Sequence, residues 1–236
     1  MNIKKLIVNA DDFGQSDGIN SGIIIAHELG IVTSASLMVR YPAAIAAAAL
    51  AKKNPGLGIG LHVDLGEWIF AGGNWEALYE VVSLENINSV EEEINRQLDL
   101  FCKIMGRMPT HIDSHQHVHQ RSSLRPLFLK IAAILGVNLR GCGSKVTYFG
   151  NFYGQLTDGS AYHEAISVNG LRQTIGRLPA GITELACHPG LHNDINTMYR
   201  TEREIEVNTL CDPDIKKTIT ELEIELCSFE GITGLN

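Results

Sequence analysis

Side chains that could do chemistry are concentrated in one stretch, Thr110 to Gln120, with the sequence THIDSHQHVHQ. It holds four of the nine histidines of the chain and one aspartate: His111, Asp113, His115, His117 and His119. In an extended chain alternate residues lie on the same side, so these side chains would form a row for as long as the strand continues. Imidazole and carboxylate groups bind divalent metals. The stretch therefore predicts a metal site, with a polar, solvated loop as the alternative.

Three further predicted strands deliver residues of the same kinds at their carboxyl ends. These residues are Asp11 and Asp12 after residues 5–10, His62 and Asp64 after residues 57–61, and His188 after residues 181–187. Each strand is a short apolar run typical of a buried parallel strand. Because barrel enzymes assemble their sites from the carboxyl ends of several strands, we expect these side chains to converge with the histidine-rich stretch.

Helical patterns separate the strands. The predicted helices cover residues 19–29, 43–53, 90–105, 124–135, 167–178, 201–210 and 212–223, and additional strands cover residues 34–39, 137–140 and 224–229. Repeated strand–helix units predict an α/β fold with a parallel sheet and right-handed crossovers. The convergence of four strand ends favours a (β/α) barrel over an open sheet. Since no internal repeat or linker is visible, we expect one domain over residues 1–236.

The sequence also predicts the local structure of two segments and the first residue of one helix. Residues 66–82 are irregular and aromatic around a Gly-Gly pair, which predicts a loop that either stacks on a sugar ring or fills a satellite core. Residues 145–149 and 151–155 are predicted to pair as strands in an insertion over one end of the fold. Ser89, followed three residues later by a glutamate, is the predicted N-cap of the third helix.

The best metal-ligand set on spacing is Asp12, His62 and His115. One carboxylate and two imidazoles leave coordination positions open for water and substrate, which is typical of a catalytic metal. Asp11 is then placed to act as the base that deprotonates the activated water, and His188 to protonate a leaving group or stabilise an oxyanion. Structural alternatives stay open: the aspartates would cap the following helix, His62 would be a core histidine, and His188 would be a turn residue.

Composition restricts the partners of the protein. Its 236 residues carry a net charge of −8, which argues against nucleic acid and anionic membrane surfaces because both require a basic patch. The first apolar run is too short for a signal peptide, and we expect no membrane span. Five scattered cysteines without CxxC spacing are typical of reduced thiols in the cytoplasm. A homodimer is compatible with these features but is not indicated by them.

Four motifs follow one another along nearly the whole chain: LIVNADDFG at 6–14, GIGLH at 58–62, PTHIDSHQHVH at 109–119 and ELACHPG at 184–190. In this order and combination they resemble the YdjC-like carbohydrate deacetylases. The resemblance implies a distorted TIM-like barrel and a divalent metal, usually magnesium with zinc as the alternative, held by Asp12, His62 and His115. The family is also similar to metal-dependent polysaccharide deacetylases with paired aspartates, which implies Asp11 as the base and His188 as the acid.

The resemblance also implies a substrate class. Similar proteins remove the acetyl group from N-acetylglucosamine units of small chitooligosaccharides, so we expect a small acetylated carbohydrate such as diacetylchitobiose. The short aromatic segment 66–82 departs from those proteins and leaves the sugar open. The alternatives are a metal-dependent phosphoesterase or glycosidase, and a sugar-binding or metal-sensing protein without catalysis. A phosphate substrate would require a basic clamp, for which the candidates are Arg121, Arg125 and Arg140.

Overall fold

Ten strands and seven α-helices occur in the computed structural model, which describes residues 3–191 and 194–232. The strands are β1 (Lys4–Phe13), β2 (Ser34–Leu37), β3 (Gly58–Val63), β4 (Gly66–Ala71), β5 (Asn74–Glu80), β6 (His111–Ser114), β7 (Asn138–Leu139), β8 (Val146–Phe149), β9 (Gly181–Cys187) and β10 (Ile224–Leu226). The helices are α1 (Asp17–Glu28), α2 (Ala44–Lys53), α3 (Ile87–Met105), α4 (Arg125–Leu135), α5 (Val168–Gly176), α6 (Thr201–Leu210) and α7 (Pro213–Glu221). All seven predicted helices are present. None of the helices in these ranges has both the length and the apolar character needed to cross a bilayer.

A curled parallel sheet carries eight of the strands in the spatial order β7-β6-β3-β2-β1-β9-β8, with β10 also paired to β1. β1 lies at its centre, where β9 pairs with Lys4–Ala10. The other side of β1 is shared, since β10 pairs with Lys4–Leu6 and β2 takes over from Asn9. Within the described ranges β7 and β8 are not paired with each other, so the sheet is a half-barrel. The predicted α/β fold with a distorted barrel is confirmed.

Burial on both faces explains the apolar strands. Every residue of β2 and β3 is buried, because helices cover the outside of the sheet and side chains fill its concave side. The amphipathic helix α3 packs on the sheet through Val90, Ile94 and Phe101, which recur at helical spacing. The prediction that Ser89 is the N-cap of this helix is wrong. The side chain of Asn86 caps the helix instead by accepting a hydrogen bond from the backbone N–H of Ser89 at 3.2 Å.

The aromatic segment 66–82 is an antiparallel hairpin of β4 and β5 rather than an irregular loop. Gly72 and Gly73 form its turn with φ of 59° and 86°, a conformation that glycine adopts without strain. Gln116 docks the hairpin on the sheet: its side chain accepts from the N–H of Trp68 and donates to the carbonyl of Trp68, each at 2.8 Å. The hairpin is thereby held beside the carboxyl ends of the parallel strands.

The strand pair predicted at residues 145–149 and 151–155 is also wrong. Residues 146–149 form β8, which joins the main sheet in parallel with β9. Residues 151–155 form no strand, and Gln155 makes a single bridge to Ala161. The exposed backbone edge of β9 therefore offers a better pairing partner than the next segment of the chain. The segment around Gly150 crosses the carboxyl end of the sheet and lines the cavity described below.

Candidate metal centre and active site

Asp12, His62 and His115 come together at the carboxyl edge of the sheet. Asp12 Oδ1 lies 3.5 Å from His62 Nε2 and 3.1 Å from His115 Nδ1. One ligand atom from each residue lies within 4.8 Å of the other two, and all three residues are buried. They come from β1, from β3 and from the turn that follows β6. Their convergence matches the expectation from strand order, while their role as metal ligands stays a prediction.

A left-handed backbone conformation presents Asp12 to the site. Asp12 has a φ of 66°, which costs a non-glycine residue about 1–3 kcal/mol and is most often tolerated at functional sites. The pairing of β1 with β2 is irregular between Ala10 and Phe13. As a result Asp11 and Asp12, which a regular strand would point to opposite faces, line the same cavity. The aspartates do not cap α1, because the N-cap of that helix is Ser16.

The donor set fits a divalent cation. The Asp113 carboxylate lies 2.7 Å from His62 Nδ1, so Nδ1 keeps its proton in either ionisation state and Nε2 is the nitrogen that can bind a cation once it loses its own. Arg203 donates to Asp12 Oδ2 at 2.6 Å and leaves Oδ1 facing the two imidazoles. His115 Nε2 is buried without a hydrogen-bond partner. Two imidazoles and one carboxylate form a catalytic-type ligand set that leaves coordination positions open.

Neighbouring charges shift the pKa values of these ligands. Burial opposes ionisation of Asp12, but the Arg203 guanidinium together with His115 and His62 outweighs burial and holds the pKa of this carboxyl well below its usual range. Burial also favours neutral His62, yet the charges of Asp113 and Asp11 raise its pKa to about 10. A cation that binds His62 at neutral pH must therefore displace a proton, which makes metal affinity dependent on pH.

Asp11 is fixed by a bidentate ion pair with Arg140, which directly follows β7. The two distances are 2.6 Å from Nη1 to Oδ2 and 2.7 Å from Nη2 to Oδ1. The fully buried guanidinium also binds Asp113 at 2.8 Å and Glu184 at 2.7 Å. Burial would raise the pKa of Asp11, but the charge and hydrogen bonds of Arg140 together with the charge of His62 outweigh burial and lower that pKa. Asp11 is thus an ionised acceptor at neutral pH with a fixed orientation.

The three arginines considered as a phosphate clamp do not form one. Arg140 is occupied by three carboxylates inside the protein. Arg125 is exposed on α4 and does not line the cavity. Arg121 lies at the rim, with its guanidinium 4.9 Å from the centre of the Trp68 ring. Among the described residues, these side chains therefore provide no convergent pair of cations for a phosphate.

His188 lies across the site at the end of β9. Its Nε2 is 3.7 Å from Asp11 Oδ2, and its Nδ1 is buried without a hydrogen-bond partner. The rings of Tyr153 and Tyr199 flank the imidazole at centroid distances of 5.3 and 5.4 Å. Glu206 accepts a hydrogen bond from the backbone N–H of His188. Burial lowers the pKa of the imidazole to about 4, so the ring is neutral at neutral pH.

A cavity of about 520 Å³ opens beside the aspartates and histidines. Its size is typical of small-molecule sites. Aromatic side chains form part of its walls, with Trp68 and Trp75 from the hairpin and Tyr148 and Tyr153 from the segment after β7. Aromatic faces with polar edges suit the apolar faces and hydroxyl groups of sugar rings. The position of the two tryptophans favours the interpretation of residues 66–82 as a substrate-binding segment.

The remaining histidines of the motif and Asp64 lie outside the ligand set. Their hydrogen-bond or stacking partners are Phe229 and Ser36 for His111, Tyr148 for His117, Ser114 and the Arg140 carbonyl for His119, and Arg40 and Tyr79 for Asp64. The chain turns after His115, where Gln116 and His117 have φ of 48° and 54°. These left-handed residues follow the end of the strand. His117 and His119 therefore do not continue the predicted row of side chains.

Sequence patterns did not identify three residues of the site. Arg203 on α6 binds Asp12 from 191 residues away, so no local spacing relates the two. Arg140 was considered only as a phosphate ligand, and its ion pair with Asp11 bridges 129 residues. Glu67 lines the cavity from the hairpin, with its side chain 6% exposed. The Gly-Gly turn was the one sequence signal that could have placed Glu67 on a hairpin.

Comparisons with known proteins agree with the motifs. A family model described as YdjC-like protein matches residues 5–221. A chitooligosaccharide deacetylase from Serratia marcescens is 31% identical and covers 97% of this chain and 99% of its own length. A crystal structure from Enterococcus faecalis, described as a cellobiose-phosphate cleavage protein, is 27% identical with a TM-score of 0.78 over 98% of this chain and 99% of that one. A family 4 carbohydrate esterase from Streptomyces lividans shares the fold at 13% identity, with a TM-score of 0.54 over 95% of this chain and 91% of that one. This protein belongs to the YdjC-like family.

Proposed function

We propose that the protein is a metal-dependent hydrolase that removes the N-acetyl group from an acetylated sugar, with N-acetylglucosamine units of a small oligosaccharide such as diacetylchitobiose as substrate. One observation carries the proposal. Two adjacent aspartates have different partners. Asp12 faces two histidines, while Asp11 is held by Arg140 and lies opposite a third histidine, His188. The deacetylase name of the Serratia marcescens relative supports the same reaction.

Asp12, His62 and His115 would hold the metal. A divalent cation there would polarise the acetyl carbonyl and lower the pKa of a water molecule. Magnesium is the metal that the family resemblance implies, whereas paired imidazoles are ligands that zinc prefers. We propose magnesium as the first candidate and zinc as the second, and restoring each metal to a chelated sample distinguishes them.

Asp11 would act as the base. Its two hydrogen bonds to Arg140 fix the plane of the carboxylate, and its lowered pKa keeps it ionised at neutral pH. Oδ2 is the oxygen that faces His188, at 3.7 Å. A proton taken from water by Asp11 therefore lies next to the imidazole. Because the pKa of Asp11 is low, the carboxyl gives this proton up readily.

His188 would protonate the departing amine. Its ring is neutral in the free protein, so it needs a proton before it can act as an acid. We propose that it receives the proton from Asp11 and delivers it to the amide nitrogen as the C–N bond breaks. The carbonyl carbon takes up the hydroxyl group and leaves as acetate, and the sugar leaves as an amine. Tyr153 and Tyr199 limit the tilt of the ring, which keeps it directed at the site.

The test is acetate release from diacetylchitobiose and longer N-acetylglucosamine oligomers, with and without a chelator, followed by addition of magnesium or zinc. We expect release that stops with the chelator and returns with the metal. Metal binding without acetate release from any acetylated sugar would contradict a deacetylase. Cellobiose phosphate belongs in the same panel because of the description of the Enterococcus faecalis protein. Phosphate or glucose release from it, without acetate release elsewhere, would favour the alternative hydrolases.

We also propose that the protein works in the cytoplasm. The support is that all five cysteines are free thiols. Cys187 is buried, but the other four remain free even though they are partly exposed. Thiols persist in a reducing compartment, whereas secreted proteins tend to form disulfides. Thiol titration of the protein purified under non-reducing conditions tests this, with five titratable groups expected after unfolding. Disulfide-linked material in fresh cell extracts would contradict the assignment.

A further inference from the structure

Glu67 is a buried carboxylate that the proposed reaction does not use. It belongs to β4, at the point where the hairpin register shifts between Glu67 and Trp68, and its side chain is only 6% exposed. Its carboxylate borders the cavity, and no donor within residues 3–191 and 194–232 is hydrogen-bonded to it. The carboxylate is therefore free to accept a hydrogen bond from a neighbouring side chain.

His115 has a ring nitrogen that lacks a hydrogen-bond partner. Its Nδ1 faces Asp12 Oδ1 at 3.1 Å, but its Nε2 is buried without a hydrogen-bond partner. The nearest carboxylate oxygen to Nε2 is Glu67 Oε2, at 3.9 Å. If Nδ1 directs its lone pair at a cation, the ring proton must be on Nε2, where it needs an acceptor. The other histidine of the set already has this arrangement, because Asp113 accepts from His62 Nδ1 at 2.7 Å.

We propose that Glu67 is a positioning residue for His115, accepting its Nε2–H when the metal of the proposed function binds to Nδ1. The two atoms need to approach by about 1 Å to form a hydrogen bond of ordinary length. The chain links the two residues directly, because Gln116, next to His115, holds both backbone polar groups of Trp68, next to Glu67. The hairpin is therefore part of the metal site as well as a wall of the cavity.

Two substitutions of similar shape separate the acceptor from the bulk of the side chain. Glu67→Gln keeps an oxygen that can accept the hydrogen bond, and Glu67→Met removes it. We expect Glu67→Met to weaken magnesium or zinc binding by about 10–100-fold in calorimetric titration with the metal alone, while Glu67→Gln loses much less. Glu76→Met is the matched control, because Glu76 is exposed on the same hairpin and should bind metal like the wild type. Circular dichroism verifies that each variant is folded.

The outcomes distinguish this inference from the proposed function on which it rests. If the wild type binds metal and Glu67→Met binds it equally well, Glu67 does not position His115, although the deacetylase proposal stands. A rise in KM for the sugar with unchanged metal affinity would also overturn the inference and make Glu67 a substrate ligand. If the wild type binds no divalent metal, the metal-dependent function fails and the inference fails with it.

Discussion

Replacing Arg140 by methionine tests whether its charge holds the centre of the site together. The substitution removes four ion-pair contacts of 2.6 to 2.8 Å to Asp11, Asp113 and Glu184. These carboxylates stay buried, so they lose a counter-charge that water cannot replace. Breaking a buried ion pair by removing one partner costs about 3–5 kcal/mol. For a chain of this length, that loss lowers the melting temperature by roughly 6–20 °C.

The loss should depend on pH. Arg140 lowers the pKa values of Asp11 and Asp113, so its stabilising effect is present above the unfolded-state carboxyl pKa of about 4 and is lost as pH falls through the lower folded values. Without Arg140 these folded-state pKa values rise, and the carboxyls take up protons at higher pH. The pKa of Glu184 is raised to about 7 even beside the guanidinium. The difference between wild type and variant is therefore larger at alkaline pH than at mildly acidic pH.

Chemical unfolding followed by circular dichroism at both pH values, with chelator present, measures this difference. Arg125→Met is the control, because Arg125 is exposed on α4 and its loss should change the free energy of unfolding by no more than about 0.5 kcal/mol. A variant at Arg140 as stable as the control, or a loss of the same size at both pH values, would refute the electrostatic reasoning. In that case packing around the side chain, rather than its charge, would be what the fold requires.

Three other predictions concern the reaction. Asp11→Asn should lower kcat by about 10²- to 10⁴-fold while the variant still binds metal; acetate release at the wild-type rate would exclude a base role. Metal affinity should fall at least about tenfold for each pH unit below the His62 pKa of about 10, because the pKa of His115 is also raised, and calorimetry in buffers of different ionisation enthalpy should detect at least one released proton. An affinity that does not vary with pH would contradict this displacement. Gln116→Ala removes both hydrogen bonds to Trp68, so KM for the sugar should rise more than kcat falls; an unchanged KM would mean that the hairpin docks without them.

Local patterns failed where two signals competed or where one was weak. Asn86 and Ser89 are both good N-cap residues, and the structure uses the earlier one. The hairpin at 66–82 lacked a clear alternation because β5 is exposed at nearly every position and so has no buried face to mark it. Its Gly-Gly turn was visible in the sequence, but a turn alone does not identify two strands.

The sequence by itself determined which chemical groups stand at the carboxyl ends of the parallel strands. Continuous apolar runs are buried on both faces of such a sheet, so β9 covers the predicted residues 181–187 and delivers His188 as expected. Asp11, Asp12 and His62 follow from the same reasoning. These positions depend only on hydrophobicity along the chain and on the fixed direction of parallel strands.

Only the tertiary structure decided which charges meet these groups. Arg140 reaches Asp11 across 129 residues and Arg203 reaches Asp12 across 191, because the curled sheet and α6 close around the same edge. The ionisation of a buried group depends on the charges and donors within a few ångströms of it. The sequence could therefore name the aspartates, but the roles that we propose for them follow from partners that only the folded chain brings near.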